Sequence, residues 1–209
     1  MTEEEARAWL LGRNVPRETL DLLEQFLAFL LKAGESQNLI SASTHAHLWT
    51  RHVVDSAQLL DHVSADDSPW LDLGSGAGFP GLVIAALTRR PVTLVESRTK
   101  RIQFLRDAAQ VIGAENRVTV VGGDAERVTA QRHGVISARA FAPLPRLLQI
   151  GSRFADESTC WLLPKGRNAA SELVEAEKAW QGRFTLVPSV TDVSSSIVIA
   201  REVSRRTRP

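Results

Sequence analysis

The stretch Trp70-Leu-Asp-Leu-Gly-Ser-Gly-Ala-Gly-Phe-Pro-Gly81 constrains this chain more than any other. Trp70, Leu71 and Leu73 form a short apolar run broken by one acid, Asp72, which reads as a buried strand. Glycines follow at 74, 76 and 78, and Gly81-Leu-Val-Ile-Ala-Ala-Leu87 then resumes as a helix. Glycine tolerates positive φ and lets the backbone approach a ligand closely. A helix start adds N–H groups with no partner of their own. A strand running through such a turn into a helix is either a cradle for a nucleotide-type ligand or a tight bend with no ligand at all. Three alternating glycines favour the cradle.

The sequence on either side predicts two kinds of architecture. Residues 1–66 read as a helical cap: a short acidic helix from Glu3 to Leu11, a longer one from Pro16 through Lys32, and a third from about His47 to Val63. Asp66-Asp-Ser-Pro69 is a short linker, so cap and remainder are expected to form a single unit. From residue 67 to 209 strands and helices alternate. Strands are predicted at Pro91–Glu96, Arg117–Val121, Gly134–Ala138 and Ser158–Leu163, with helices at Arg98–Ile112, Leu144–Phe154 and Asn168–Trp180. The segments Phe184–Val187 and Ser196–Ala200 have no helix between them, so they are expected to pair antiparallel. The sum is an α/β fold, a mostly parallel Rossmann-like sheet with an antiparallel C-terminal strand.

Composition narrows the chemistry. With one cysteine, Cys160, the chain has no internal disulfide framework, no multi-cysteine zinc site and no cysteine pair for base methylation. Histidines 45, 47, 52 and 62 crowd the cap, but none shows the i, i+4 spacing with a helix-borne glutamate that marks a metal site. They read as surface and inter-helix residues, and no metal is expected. No apolar stretch approaches the ~20 residues of a membrane span, and the acidic start does not resemble a secretory signal; a cytoplasmic monomer is expected. Net charge is +1, but residues 1–35 carry seven acids and four bases, which leaves the remainder basic. That balance permits a polyanionic partner.

Two cofactors suit the glycine turn. Gly76-Ala-Gly78-Phe-Pro-Gly81 satisfies the dinucleotide pattern G-x-G-x-x-G, whereas Asp72-Leu-Gly74-Ser-Gly76-Ala-Gly78 looks like the opening motif of S-adenosylmethionine-dependent methyltransferases. A diphosphate beside the Asp72 carboxylate is disfavoured by like charge, and Pro80 removes one donor. The ammonium and sulfonium of S-adenosyl-L-methionine suit an acid there. An NAD(P)-dependent oxidoreductase is the alternative, and a non-catalytic RNA-binding module a third reading. Ligands of open α/β sheets bind beyond the strands' carboxyl ends, and polar residues recur there. Glu96 is placed to accept from ribose hydroxyls or to favour the next helix by its charge. Asp124-Ala-Glu126 is placed for adenine, with helix capping as Asp124's other role. Arg139, in an apolar run, needs a carboxylate or ligand unless it reaches solvent. Arg98, Lys100, Arg101, Lys165 and Arg167 are candidate contacts to RNA phosphates, or a solvated charged face. There is no G-x-S-x-G elbow or P-loop, and no Asn/Asp-Pro-Pro-aromatic element of exocyclic-amine methyltransferases. Transfer to a lone pair such as guanine N7 survives, and needs no general base.

The chain resembles the ribosomal small-subunit guanine-N7 methyltransferases, the glucose-inhibited division protein B family, from about Asn38 to Lys165. The shared elements are Asn38-Leu39, Arg51-His-Val-Val-Asp-Ser56, the glycine stretch, Glu96-Ser with Lys100-Arg101 and Phe104-Leu105, Ala125-Glu126, Arg139-Ala-Phe-Ala and Leu163-Pro-Lys-Gly166. The resemblance implies methyl transfer from S-adenosylmethionine to a guanine in the 530 loop of 16S rRNA. It implies a cofactor pocket containing Gly74, Phe79, Ala125, Glu126 and Arg139. The family often has arginine where this chain has Asp124, which leaves any RNA role of that arginine unsupported here.

Overall fold

A computed structural model describes residues 1–64 and 66–206; the end of the basic tail, 207–209, lies outside it. Helix α1 (Glu3–Leu11) starts in a reciprocal cap between Thr2 and Glu5, and α2 (Arg17–Gly34) follows Pro16. The expected third helix is instead a helical run of changing pitch. A 3₁₀ segment covers Ala42–His47, a π-helical turn Trp49–Val54, one α-turn (α3, Asp55–Ala57) and a second 3₁₀ segment Gln58–His62. The widened turn buries Trp49, Thr50, His52, Val53 and Val54 together, more than one stripe of a regular helix could. Its first amides are held from outside: the Glu3 carboxylate accepts from Trp49 N at 2.8 Å and Thr50 N at 2.9 Å.

The sheet is built from β1 (Trp70–Leu73), β2 (Val92–Glu96), β3 (Val118–Gly122), β4 (Val135–Ser137), β5 (Cys160–Lys165), β6 (Trp180–Pro188) and β7 (Ser196–Arg205). Its order is β3-β2-β1-β4-β5-β7-β6. Every neighbouring pair is parallel except those made by β7, which runs antiparallel to both β5 and β6. Strand order reverses at β1, so the crevice beyond its carboxyl end is the expected ligand site. Helices α4 (Gly81–Leu87) and α5 (Thr99–Val111) cover one face, and α6 (Leu144–Gly151) and α7 (Ala169–Glu177) belong to the core on the other. Because both faces are covered, Trp70, Leu71, Asp72 and Leu73 are all buried.

The cap shares the first of these cores. One cluster of buried side chains runs from Ala6 and Leu10 through Phe26 and Leu30 to Leu82 and Leu94 under the sheet. Phe29 stacks on Phe104 of α5 at 5.4 Å and 6°, and Phe26 meets Phe79 of the glycine loop at 5.4 Å. The cap therefore braces the loop directly.

Candidate functional site

The loop after β1 is held from within. Gly74, Gly76 and Gly78 all have positive φ, at 69°, 55° and 90°. A Cβ on Gly74 would lie 2.3 Å from the Phe141 ring, and one on Gly78 2.4 Å from Leu82 Cδ1. At Gly76 the nearest atoms would be Arg101 Nη1 at 3.6 Å and Gly74 O at 3.7 Å, so a Cβ here makes ordinary contacts without a clash. The loop's amides already donate inside the protein: Gly74 and Ser75 to Val95 O, Gly76 to Glu96 Oε2, Gly78 to Ser75 O, and Gly81 to Asp72 Oδ2. A diphosphate, which needs such donors, finds few here. A ligand without phosphate fits the same cradle.

Asp72 acts differently from its reading in the sequence, which set it beside the cofactor's cations. It is fully buried, accepting from Ser137 Oγ at 2.9 Å and from Gly81 N at 3.3 Å. Trp70 Nε1 donates to the same hydroxyl at 2.8 Å. Burial pushes its carboxyl up to about 6, against the pull of these hydrogen bonds. Asp72 thus braces the loop from beneath.

Beyond β1, β2 and β3 opens a cleft of about 360 Å³. Gly74, Glu96, Asp124 and Ala125 line it, with Ala140 and Phe141 closing its far end. Glu96 combines both roles read from the sequence: it lines the cleft while its Oε1 accepts from Ser97 N and Arg98 N, both at 2.8 Å, at the start of α5. Ala125 is buried, and Asp124 Oδ1 accepts from Glu126 N at 2.9 Å. Five expected cofactor residues are not among those lining the cleft: Gly76 and Gly78, within the loop, and Glu126, Phe79 and Arg139. The Glu126 side chain points away and pairs with Arg146. Phe79 turns into the core at 3% exposure, stacked on His52 with 4.8 Å between ring centroids. Arg139 lines a neighbouring cavity rather than this cleft. Phe141 is one of several lining residues, with Val95, Ser97, Gly123 and Ala140, that the sequence leaves without a role, although it stands inside the quoted Arg139-Ala-Phe-Ala element. Its signal lay in its pairing with Gly74, which only the fold reveals.

The neighbouring cavity, about 500 Å³, shares Ala140 and Phe141 as a wall with the cleft. Ala140 has φ 52°, an uncommon value for a residue with a side chain, where the chain turns between the two spaces. Arg139 finds the carboxylate it needs: Nη1 donates to Asp55 Oδ2 at 3.2 Å and to Arg51 O at 3.0 Å, and Nη2 to His52 Nδ1 at 3.0 Å. Burial, then the nearby Arg139 charge, lowers the His52 pKa to about 3. With Nδ1 accepting, neutral His52 carries its proton on Nε2, 3.1 Å from Thr44 Oγ1. Lys165 enters the same cavity but is paired with Glu172 at 2.9 Å.

The other basic candidates lie at the surface. Arg98, Lys100 and Arg167 are exposed. Arg101 spans the cleft and a shallower pocket beside Asn38, donating to Asn38 O at 2.9 Å. Among the described residues no group of three or more His, Cys, Asp or Glu is placed to hold a metal ion. Nor is any helix long and apolar enough to cross a membrane.

Comparison with known proteins agrees with this geometry. Residues 19–198 match the family model GidB, described as rRNA small subunit methyltransferase G. The chain is similar to the ribosomal RNA small subunit methyltransferase G of Rhizorhabdus wittichii, 54% identical over 99% of this chain and 95% of that one. It is 47% identical to the protein of the same name from Erythrobacter litoralis, over 96% of each chain. Among solved structures, the glycopeptide N-methyltransferase MtfA with S-adenosyl-L-homocysteine aligns at a TM-score of 0.61, 13% identity, covering 72% of this chain and 89% of that one. The ribosomal protein L11 methylase of Lactobacillus delbrueckii subsp. bulgaricus aligns at 0.58 and 13%, covering 78% and 80%. At such identities these two show the fold alone. The family match removes the nicotinamide-dependent alternative: this chain belongs to the GidB family, the S-adenosylmethionine-dependent methyltransferases of small-subunit rRNA.

Proposed function

We propose that the protein methylates N7 of a guanine in the 530 loop of 16S rRNA, acting as a cytoplasmic monomer. The observation that carries this reading is the pair of cavities meeting at Ala140 and Phe141, one suited to a donor and the other to an acceptor. S-adenosylmethionine, bound along Gly74, Glu96 and Ala125, supplies an electrophilic methyl group. The internally bonded amides of the loop suit that cofactor, which carries no phosphate. The two spaces meet at Ala140 and Phe141, and in-line attack requires acceptor and methyl group to come within about 3–3.5 Å of each other at that junction.

Among the described residues, most candidate bases on the acceptor side are already engaged, and Glu172 alone keeps one oxygen without a donor. His52 Nδ1 is engaged by Arg139, while Asp55 and Asp192 carry their own donors. Guanine N7 suits such a site, having a lone pair and no proton to lose. The methylated ring becomes cationic, and the carboxylates of Asp55, Glu172 and Asp192 around the cavity favour that charge.

The test incubates the protein with S-adenosylmethionine and small subunits, or naked 16S rRNA, that lack the modification, and maps the product by nuclease digestion and mass spectrometry. A single N7-methylguanine in the 530 loop is expected. Methylation at another atom or another loop, or none on either substrate, would overturn the reading.

A further inference from the structure

The cavity on the acceptor side carries a polar pair placed to do more than hold a ring. Lys165 ends β5, and Glu172 lies in the first turn of α7. Lys165 Nζ donates to Ala142 O at 2.7 Å and to Glu172 Oε2 at 2.9 Å, with its side chain 10% exposed. An ammonium has three protons, so one remains. Glu172 Oε2 also accepts from Leu144 N at 2.7 Å, while Oε1 has no donor among the described residues. The other carboxylates on this wall are occupied at both oxygens. Asp55 accepts from Thr191 and Arg139, and Asp192 from Ser194 and Arg51.

A spare donor beside a spare acceptor is a pattern that bases distinguish. Guanine presents the acceptor O6 next to the donor N1–H; adenine presents a donor amine next to an acceptor N1. A base taken out of its stack is commonly read along this edge. In guanine O6 lies between N1 and N7, so a ring gripped at O6 and N1 leaves the N7 lone pair free. Adenine in the same place would set its amine against an ammonium and its N1 lone pair against a carboxylate, leaving both unsatisfied.

We propose that Lys165 and Glu172 are the guanine-reading pair of this site, Lys165 donating to O6 and Glu172 accepting from N1–H. The inference rests on the acceptor being guanine N7. A purely structural role, pinning the start of α6 to α7 through Leu144 N, would fix the pair's position without setting any base preference.

The test is single-turnover methyl transfer by the full chain on small subunits reconstituted with guanosine, inosine or 2-aminopurine at the methylated position. Inosine keeps O6 and N1–H; 2-aminopurine keeps N7 but has neither. Wild-type protein is expected to methylate inosine within about threefold of guanosine, and 2-aminopurine about 100-fold more slowly. Glu172→Gln can keep the Leu144 and Lys165 contacts through its carbonyl while turning an amide N–H toward the base. It is expected to slow guanosine by about 10- to 100-fold and to bring the guanosine to 2-aminopurine ratio below about 10, with S-adenosylhomocysteine affinity unchanged. Each base's own reactivity is the same for both proteins, so the change in ratio reports reading of the edge. An unchanged ratio in Glu172→Gln overturns the inference. So does 2-aminopurine methylated as fast as inosine by the wild type, a result that needs no variant. If wild-type protein leaves guanosine subunits unmodified, the proposed function itself has failed.

Discussion

Gly76 and Asp72 stand on opposite sides of one loop, and their substitutions should have opposite kinds of effect. At Gly76 an added Cβ meets Arg101 Nη1 at 3.6 Å and Gly74 O at 3.7 Å, ordinary contacts and no clash, although φ of 55° penalises any β-branched residue. Gly76→Val should therefore fold, at a stability loss of about 1–3 kcal/mol, and lose S-adenosylmethionine binding by at least about 100-fold, a loss worth about 3 kcal/mol. Calorimetric titration beside a urea melt checks both; retained affinity would displace the pocket from this loop. Asp72 has no cleft surface, and its effect is on stability. Its folded pKa of about 6 lies above the ordinary value of 3.8, so the native state holds the proton more tightly than the unfolded chain. Below about pH 4 both states are protonated and the group is neutral to stability. Between pH 4 and 6 the unfolded chain ionises first, and stability falls as pH rises, by at most about 3 kcal/mol. Asp72→Asn should remove that slope from urea midpoints measured across the same window. His52 works in the reverse direction, since its lowered pKa makes protonation destabilising as pH falls below 6.5.

Among elements, the cap and the turn after β4 are joined through Arg139, whose guanidinium meets three acceptors on the π-helical turn and α3. Lysine carries three donors on a single atom and lacks the planar fork that spans these acceptors. Arg139→Lys should lower stability by about 1–3 kcal/mol, and raise KM for the small subunit while leaving S-adenosylmethionine affinity intact. A fall in cofactor affinity would instead return Arg139 to the cofactor pocket that the family resemblance implied. The periodicity of the sequence gives the strands and helices from residue 70 onward, because alternating apolar runs and glycine stops are local signals. Its antiparallel C-terminal pair follows from the short link between Val187 and Ser196, and β7 does run against both its neighbours. The changing pitch of residues 42–62 was not legible, since Glu3 and the sheet impose it from a distance. For the same reason Asp72 and Phe79 were recognised as special but faced the wrong way. A motif gives a residue's place in the chain, while its direction depends on Ser137, Phe26 and His52, which the fold alone brings near.

At the scale of the whole molecule, net charge near zero hides a division of labour. The acids of the first 35 residues are partly engaged within the cap, Glu3 with the π-helical turn and Glu24 with Arg7. Exposed cations flank the two cavities in sequence, Arg98 and Lys100 at the start of α5 and Arg167 after β5. Their side chains add no hydrogen bond to the fold among the described residues, so replacing them should leave it intact. RNA binding that neutralises phosphates weakens with salt in proportion to the contacts made, by about 0.7–0.9 in log–log slope per phosphate. Arg167→Ala should thus weaken binding to small subunits by a few-fold near physiological salt and flatten that slope by about 1. Arg98→Ala and Lys100→Ala together should flatten it by about 2. S-adenosylmethionine affinity should stay constant for Arg167→Ala, because the cleft lies on the other side of the Ala140–Phe141 wall. Filter binding between 50 and 200 mM salt separates this from Glu172→Gln. That variant should lower base discrimination without changing the slope, because phosphate contacts position an RNA and base contacts choose the nucleotide. Parallel slopes for Arg167→Ala and wild type would remove the β5 rim from the RNA path and leave docking to the α5 side alone.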